Sequence, residues 1–185
     1  YDPSRPSALE RILQMVSFSA DELERAQRLD QHLVASRISK YNLPAAERLE
    51  LAARAGQRVL LVPGQVADDA SVRLGAQRVS DNLGLLRAVR ERHPEAYILY
   101  KPHPDVLSGN RQGALSELPD PQWDQLIGQV PLAACLDAAH EVHTMTSLVG
   151  FEALLRGLPV ITYGQPFYAG WGLTTDEAPL ARRTR

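Results

Sequence analysis

The stretch EVHTMTSLVGFEALLRGLPVITYG, Glu141 to Gly164, decides the fold. A β-type run, Val142 to Met145, meets the hydroxyl pair Thr146-Ser147. Helix formers continue to Arg156, Gly157 stops them, and the apolar run Val160 to Tyr163 follows. The pattern predicts a strand-helix-strand unit. Where the strand hands over to the helix, side-chain oxygens meet the free N–H groups of the first turn, which suits an anion such as a nucleotide phosphate. Ser147 also reads as a plain N-cap. Gly157 is a helix-terminating glycine, whereas Gly150 lies in the first turns, where it costs roughly 1 kcal/mol relative to alanine and marks a close approach to the backbone.

Outward from this unit the same alternation repeats. Arg58 to Val62 is a continuous apolar strand, the pattern of burial on both faces of a parallel sheet. It ends in the loop Pro63 to Ser71. A helix is predicted over Asp81 to Arg92, with Leu83, Leu86, Val89 and Arg90 on one face. A strand over Ala96 to Tyr100 empties into Lys101-Pro102-His103-Pro104-Asp105. A polar loop from Leu107 to Pro121, a short strand near Leu126-Ile127 and a helix from Pro131 to Ala139 complete the series. Strands alternating with helices imply right-handed crossovers and an α/β, doubly wound parallel sheet. Such sheets take ligands outside the carboxyl ends of their strands. Three polar loops empty onto that edge: Gln65 to Ser71, Lys101 to Asp105, and Thr146-Ser147. No G-x-G-x-x-G follows the first strand and no P-loop motif occurs, so neither a dinucleotide site nor a Walker site is supported.

Residues 1–56 read as a helical annex and 57–185 as the Rossmann-like domain. In the annex, Leu9, Ile12, Leu13 and Val16 form one stripe. Ser19 with Glu22 is a capping box for a second helix carrying Leu23, Ala26, Leu29 and Leu33, and a third helix is predicted from Pro44 to Gly56. The net charge of −2 leaves no footprint for nucleic acid or an anionic membrane. Arg182, Arg183 and Arg185 read as a solvated end. The single cysteine, Cys135, reads as a buried hydrophobe and fits a reducing compartment. No apolar run approaches the ~20 residues that span a bilayer. Starting at Tyr1 without Met, the chain reads as a piece of a longer protein.

The loops suggest chemistry. The prolines flanking His103 fix the backbone and aim His103 and Lys101, which can donate to a phosphate or a leaving-group oxygen; a locally bonded loop histidine is the plainer reading. Asp68 and Asp69 point to opposite sides of an extended loop, so one faces the cleft as nucleophile, base or sugar acceptor, or caps the next helix. Adjacent carboxylates without supporting ligands are a weak metal cue. Phe167, Tyr168 and Trp171 occupy a glycine-broken loop that either stacks on a ligand ring or seats on the core.

Taken together, Pro63-Gly64-Gln65-Val66-Ala67-Asp68-Asp69-Ala70-Ser71, Lys101-Pro102-His103-Pro104-Asp105, and the run from His143 through Ser147, Gly150 and Gly157 to Phe167-Tyr168-Ala169-Gly170-Trp171-Gly172 resemble capsule polysaccharide biosynthesis/export proteins of the KpsC/LipB type. Asp2-Pro3, Pro6-Ser7 and Ile38 to Asn42 extend the resemblance over nearly the whole chain. It implies a retaining β-Kdo glycosyltransferase using CMP-Kdo, built from two Rossmann-type halves in a GT-B arrangement, with this chain holding the nucleotide. His103 and Pro104 match a His-Pro motif that contacts CMP, similar to that of bacterial sialyltransferases. Thr146 and Ser147 match the phosphate-binding hydroxyls, and Asp69, by its spacing to Ser71, is preferred over Asp68 as the catalytic carboxylate. Gln65, Ser71, Lys101, Gly150 and Glu152 complete the expected nucleotide site, and Phe167, Tyr168 and Trp171 the expected sugar or acceptor loop. The resemblance further implies no metal and no cofactor beyond the donor, and a lipid-linked Kdo acceptor. It implies a cytoplasmic protein at the inner membrane face, the capsule export machinery as partner, and an acceptor-binding half outside this chain, without which the chain is inactive. A UDP-sugar transferase or epimerase and a non-catalytic export scaffold are the alternatives.

Overall fold

The computed structural model describes residues 2–40, 48–76, 78–107 and 121–183. Two helices, α1 (Ala8–Met15) and α2 (Ala20–Ala35), precede β1 (Val59–Pro63), α3 (Ala70–Gly75), α4 (Asn82–Arg92), β2 (Tyr97–Lys101) and α5 (Pro104–Leu107). Then come β3 (Gln125–Leu126), α6 (Leu132–Ala138), β4 (Glu141–Thr144), α7 (Leu148–Leu155), β5 (Val160–Thr162) and β6 (Thr175–Asp176). The strands form one sheet in the order β3-β2-β1-β4-β5-β6, every pairing parallel. This is the doubly wound sheet expected from the sequence, with its winding reversing between β1 and β4. The edge strand β6 was not anticipated.

The apolar strands are explained by burial on both sides. Val59 and Leu61 of β1 join Leu99, Val142 and Val160 under α6 and α7, while Leu60 and Val62 join Ile98, Tyr100 and Ile161 under α3 and α4. Cys135 is fully buried in the first of these layers, and burial pushes its thiol up to about 11. The buried face of α4 is Leu85, Leu86 and Val89 with Asn82, rather than one centred on Leu83. The Asn82 amide sets this rotation by exchanging two hydrogen bonds with the Gln65 backbone, each 2.9 Å.

The annex departs most from expectation. Both helices begin with capping boxes, Ser7 with Glu10 and Ser19 with Glu22. Their apolar stripes, however, face outward: Leu9, Ile12, Leu23 and Leu29 are all exposed. No third helix forms over 48–56; the part of that prediction at 44–47 lies outside the described residues. Leu49 and Ala53 instead pack on the core beside α6, and the Glu50 carbonyl accepts from Gln125 Nε2 at 2.9 Å, so tertiary contacts override helix propensity.

The chain's end is not a solvated cluster. Arg183 is 4% exposed, pairs with Glu10 at 2.9 Å and donates from Nη1 to the carbonyls of Pro166 and Ala169, each at 2.6 Å. Arg182 reaches the same carboxylate at 3.1 Å. Two carbonyls and a buried carboxylate supply the partners that make burial of a guanidinium tolerable. Arg185 lies outside the described residues.

Candidate active site

At the carboxyl edge, over the point where the winding reverses, lies a cavity of about 710 Å³, a size typical of small-molecule sites. All three polar loops reach it. The β1 loop contributes Gln65, Asp69 and Ser71, the β2 loop Lys101 to Pro104, and the turn into α7 contributes Thr146 and Ser147, with Glu152 one helical turn on. Ser39 and Lys40 from the annex also line it, as do Gly128 to Leu132. Neither segment was assigned to the site from the sequence.

The walls are fixed by hydrogen bonds. Gln65 is buried and its amide is committed to the scaffold: Nε2 donates to Thr146 Oγ1 and Oε1 accepts from Thr146 N, both at 2.8 Å. Thr146 Oγ1 in turn donates to Ser71 Oγ at 3.2 Å. This chain locks the β1 loop to the β4 loop. Lys101 Nζ donates to the carbonyls of Val130 (2.6 Å) and Gly128 (3.3 Å), so its ammonium holds the opposite wall as well as bringing charge.

His103 Nδ1 accepts from Asp105 N at 3.2 Å, which leaves the neutral ring's proton on Nε2 as a donor. Ser147 caps α7, accepting from Val149 N at 3.2 Å, so its hydroxyl and the helix's positive end share one place. Asp69 faces the cavity whereas Asp68 is exposed outside it, and Asp69 also caps α3 through Ser71 N at 2.7 Å. Hydrogen bonding from Ser71, with Lys40 and His103 nearby, outweighs desolvation and holds the Asp69 carboxyl below the usual carboxylate value of 3.8. Asp69 is therefore anionic at neutral pH. Glu152 is 6% exposed; its Oε1 accepts from Lys40 N at 3.1 Å, while its buried Oε2 has no hydrogen-bond partner among the described residues.

The aromatic loop divides. Phe167 lines the cavity, but Tyr168 is 3% exposed and sits beneath α7, its hydroxyl donating to the Ser147 carbonyl. Trp171 donates to the Phe167 carbonyl at 2.9 Å and lies under the Arg183 guanidinium, and neither ring lines this cavity. Tyr168 also explains Gly150, which packs against it rather than against a ligand: a Cβ at Gly150 would stand 2.2 Å from the Tyr168 hydroxyl. Gly150→Ala is therefore expected to cost about 1–3 kcal/mol by overpacking, measured by denaturant unfolding, with partial recovery in Gly150→Ala/Tyr168→Phe.

An all-parallel sheet in this strand order, with its cavity over the switch point, defines a Rossmann-like α/β domain. The chain belongs to the capsule polysaccharide biosynthesis protein family, which it matches over residues 2–185. It is 50% identical over 186 residues to the capsule polysaccharide modification protein LipA of Neisseria meningitidis serogroup B, covering 100% of this chain and 26% of LipA. It is 41% identical over 192 residues to the lipopolysaccharide-processing protein LpsZ of Rhizobium meliloti, covering 43% of that protein. Two solved structures of Thermosulfurimonas dismutans KpsC match its fold. The β Kdo 2,7 transferase superimposes at TM-score 0.78 with 41% identity, over 98% of this chain and 54% of that one. The β Kdo 2,4 transferase does so at 0.87 with 33% identity, over 100% and 58%. The chain thus spans about a quarter of LipA and little more than half of the solved transferase chains.

Proposed function

We propose that this chain is the donor-nucleotide half of a retaining β-Kdo transferase that uses CMP-Kdo in making or modifying capsular polysaccharide. The observation carrying this reading is the convergence of Asp69, His103 and Ser147 on one cavity at the switch point. The identity to two Kdo transferases supports the sugar. His103 Nε2 and the Ser147 end of α7 bind the CMP phosphate and stabilise it as it leaves. Glu152, which lines the cavity, accepts from ribose hydroxyls. Asp69, ionised at neutral pH, serves as nucleophile or as stabiliser of the oxocarbenium-like state rather than as an acid. The reaction needs no metal at this cavity.

The lipid-linked Kdo acceptor binds a second Rossmann half supplied by the longer protein. The exposed apolar stripes of α1 and α2 are surfaces for that half. In this reading the domain works on the cytoplasmic side, peripheral to the inner membrane and its export machinery. No described helix is long and apolar enough to cross a membrane. The test is CMP affinity in the longer protein: His103→Ala and Ser147→Ala should each weaken it about tenfold, the loss of one charge-assisted hydrogen bond. Unchanged affinity in both would remove the site assignment.

A further inference from the structure

The amino edge of the sheet, opposite the cavity, carries a second cluster. β4 begins at Glu141, and Glu141 and His143 share one face of the strand because alternate residues do. The C-cap of α4, His93, closes on that face. One ligand atom from each of His93, Glu141 and His143 lies within 4.8 Å of the other two. His143 Nε2 is 2.6 Å and His93 Nε2 3.8 Å from Glu141 Oε1, and the two rings meet edge-on with centroids 5.1 Å apart.

The hydrogen bonding here is incomplete. His143 is 0% exposed and its Nε2 meets Glu141 Oε1 at 2.6 Å, whereas the buried Nε2 of His93 has no hydrogen-bond partner among the described residues. A hydrogen bond from His143 Nε2–H to Glu141 Oε1 would account for two of the three groups. It would leave His93 Nε2 buried and unsatisfied, a penalty that native interiors avoid. A cation shared by all three satisfies each of them. The surroundings suit one: His143 Nδ1 lies 3.3 Å from the Tyr163 hydroxyl, and with its proton there the Nε2 lone pair is bare. Arg58 holds Glu141 Oε2 at 2.6 Å, which leaves Oε1 as a single donor.

We propose that His93, Glu141 and His143 bind a divalent transition-metal ion, zinc by the chemistry of two imidazoles and one carboxylate. Ligands at ~2.0–2.1 Å from a tetrahedral centre stand about 3.3 Å apart, so the present 2.6 and 3.8 Å separations bracket the bound geometry. Three protein ligands leave one position for water. The ion ties the end of α4 to the start of β4, on the edge away from the cavity, and so stabilises the sheet rather than taking part in chemistry at the cavity. It does not rest on the proposed transferase activity.

The test uses the longer protein, stripped with a strong chelator and titrated with Zn2+ against a chromophoric competitor, and separately with Co2+. The expected result is one equivalent of zinc that raises the melting temperature, and visible Co2+ d–d bands without a thiolate charge-transfer band. His93→Gln and Glu141→Gln, at residues with part-exposed side chains, should fold and lose about tenfold or more in zinc affinity, along with the thermal shift. Failure of the wild type to take up zinc would overturn the proposal. So would wild-type stoichiometry and affinity in both variants, which would place the metal elsewhere.

Discussion

Asp69→Asn in the longer protein is expected to lower Kdo transfer at least about 10³-fold while CMP affinity stays within about threefold. The separation follows from what the side chain does. Its carboxylate faces the cavity beside Ser71 and His103, where the proposed mechanism has charge develop on the sugar ring, and asparagine keeps the shape but not the charge. Asn is also as good an N-cap as Asp, so α3 keeps its first-turn hydrogen bond to Ser71 N. Asp68→Asn, at an exposed position outside the cavity, should transfer at close to the wild-type rate. The pH dependence has a defined sign. The folded value of Asp69 lies below its ordinary 3.8, so the ionised form and the stability it contributes are present above 3.8 and lost only as pH falls through the depressed value. No acid limb from this residue should appear in the neutral range of the rate profile.

Glu10→Ala should destabilise the chain by about 3–5 kcal/mol, read as a lower denaturant midpoint. Glu10 and Arg183 are 3% and 0% exposed at their side chains, and removing the carboxylate leaves the guanidinium buried without its counter-charge, held by the Pro166 and Ala169 carbonyls. The double variant Glu10→Ala/Arg183→Met should recover part of the loss, because an apolar side chain of similar length no longer carries an uncompensated charge. A double variant less stable than Glu10→Ala would show that the two carbonyl contacts at Pro166 and Ala169, rather than the ion pair, anchor the chain's end.

The sheet and its ligand edge were legible because they rest on local signals. Val59 to Val62 is apolar at every position, and Thr146-Ser147 stands at a change of period from two to 3.6. The rule for doubly wound sheets then brought three loops to one edge. Of the two adjacent aspartates, Asp69 lines the cavity. What stayed hidden depends on contacts distant in sequence. Lys40 meets Glu152 across 112 positions, and Arg183 meets Glu10 across 173. The segment at 48–56 has helical composition, yet its backbone is taken up by Gln125 and the core. Gln65 and Tyr168, expected in the nucleotide site and the sugar loop, also hold the loops that frame the cavity, through partners 81 and 21 positions along the chain.

The central claim is that the cavity takes the nucleotide of an activated Kdo, and calorimetric titration of the longer protein with CMP and, separately, UDP tests it most directly. Saturable CMP binding at one site, unaltered by added Mg2+ and tighter than UDP, is the predicted result. UDP binding as tightly as CMP, or no binding of either, would contradict it.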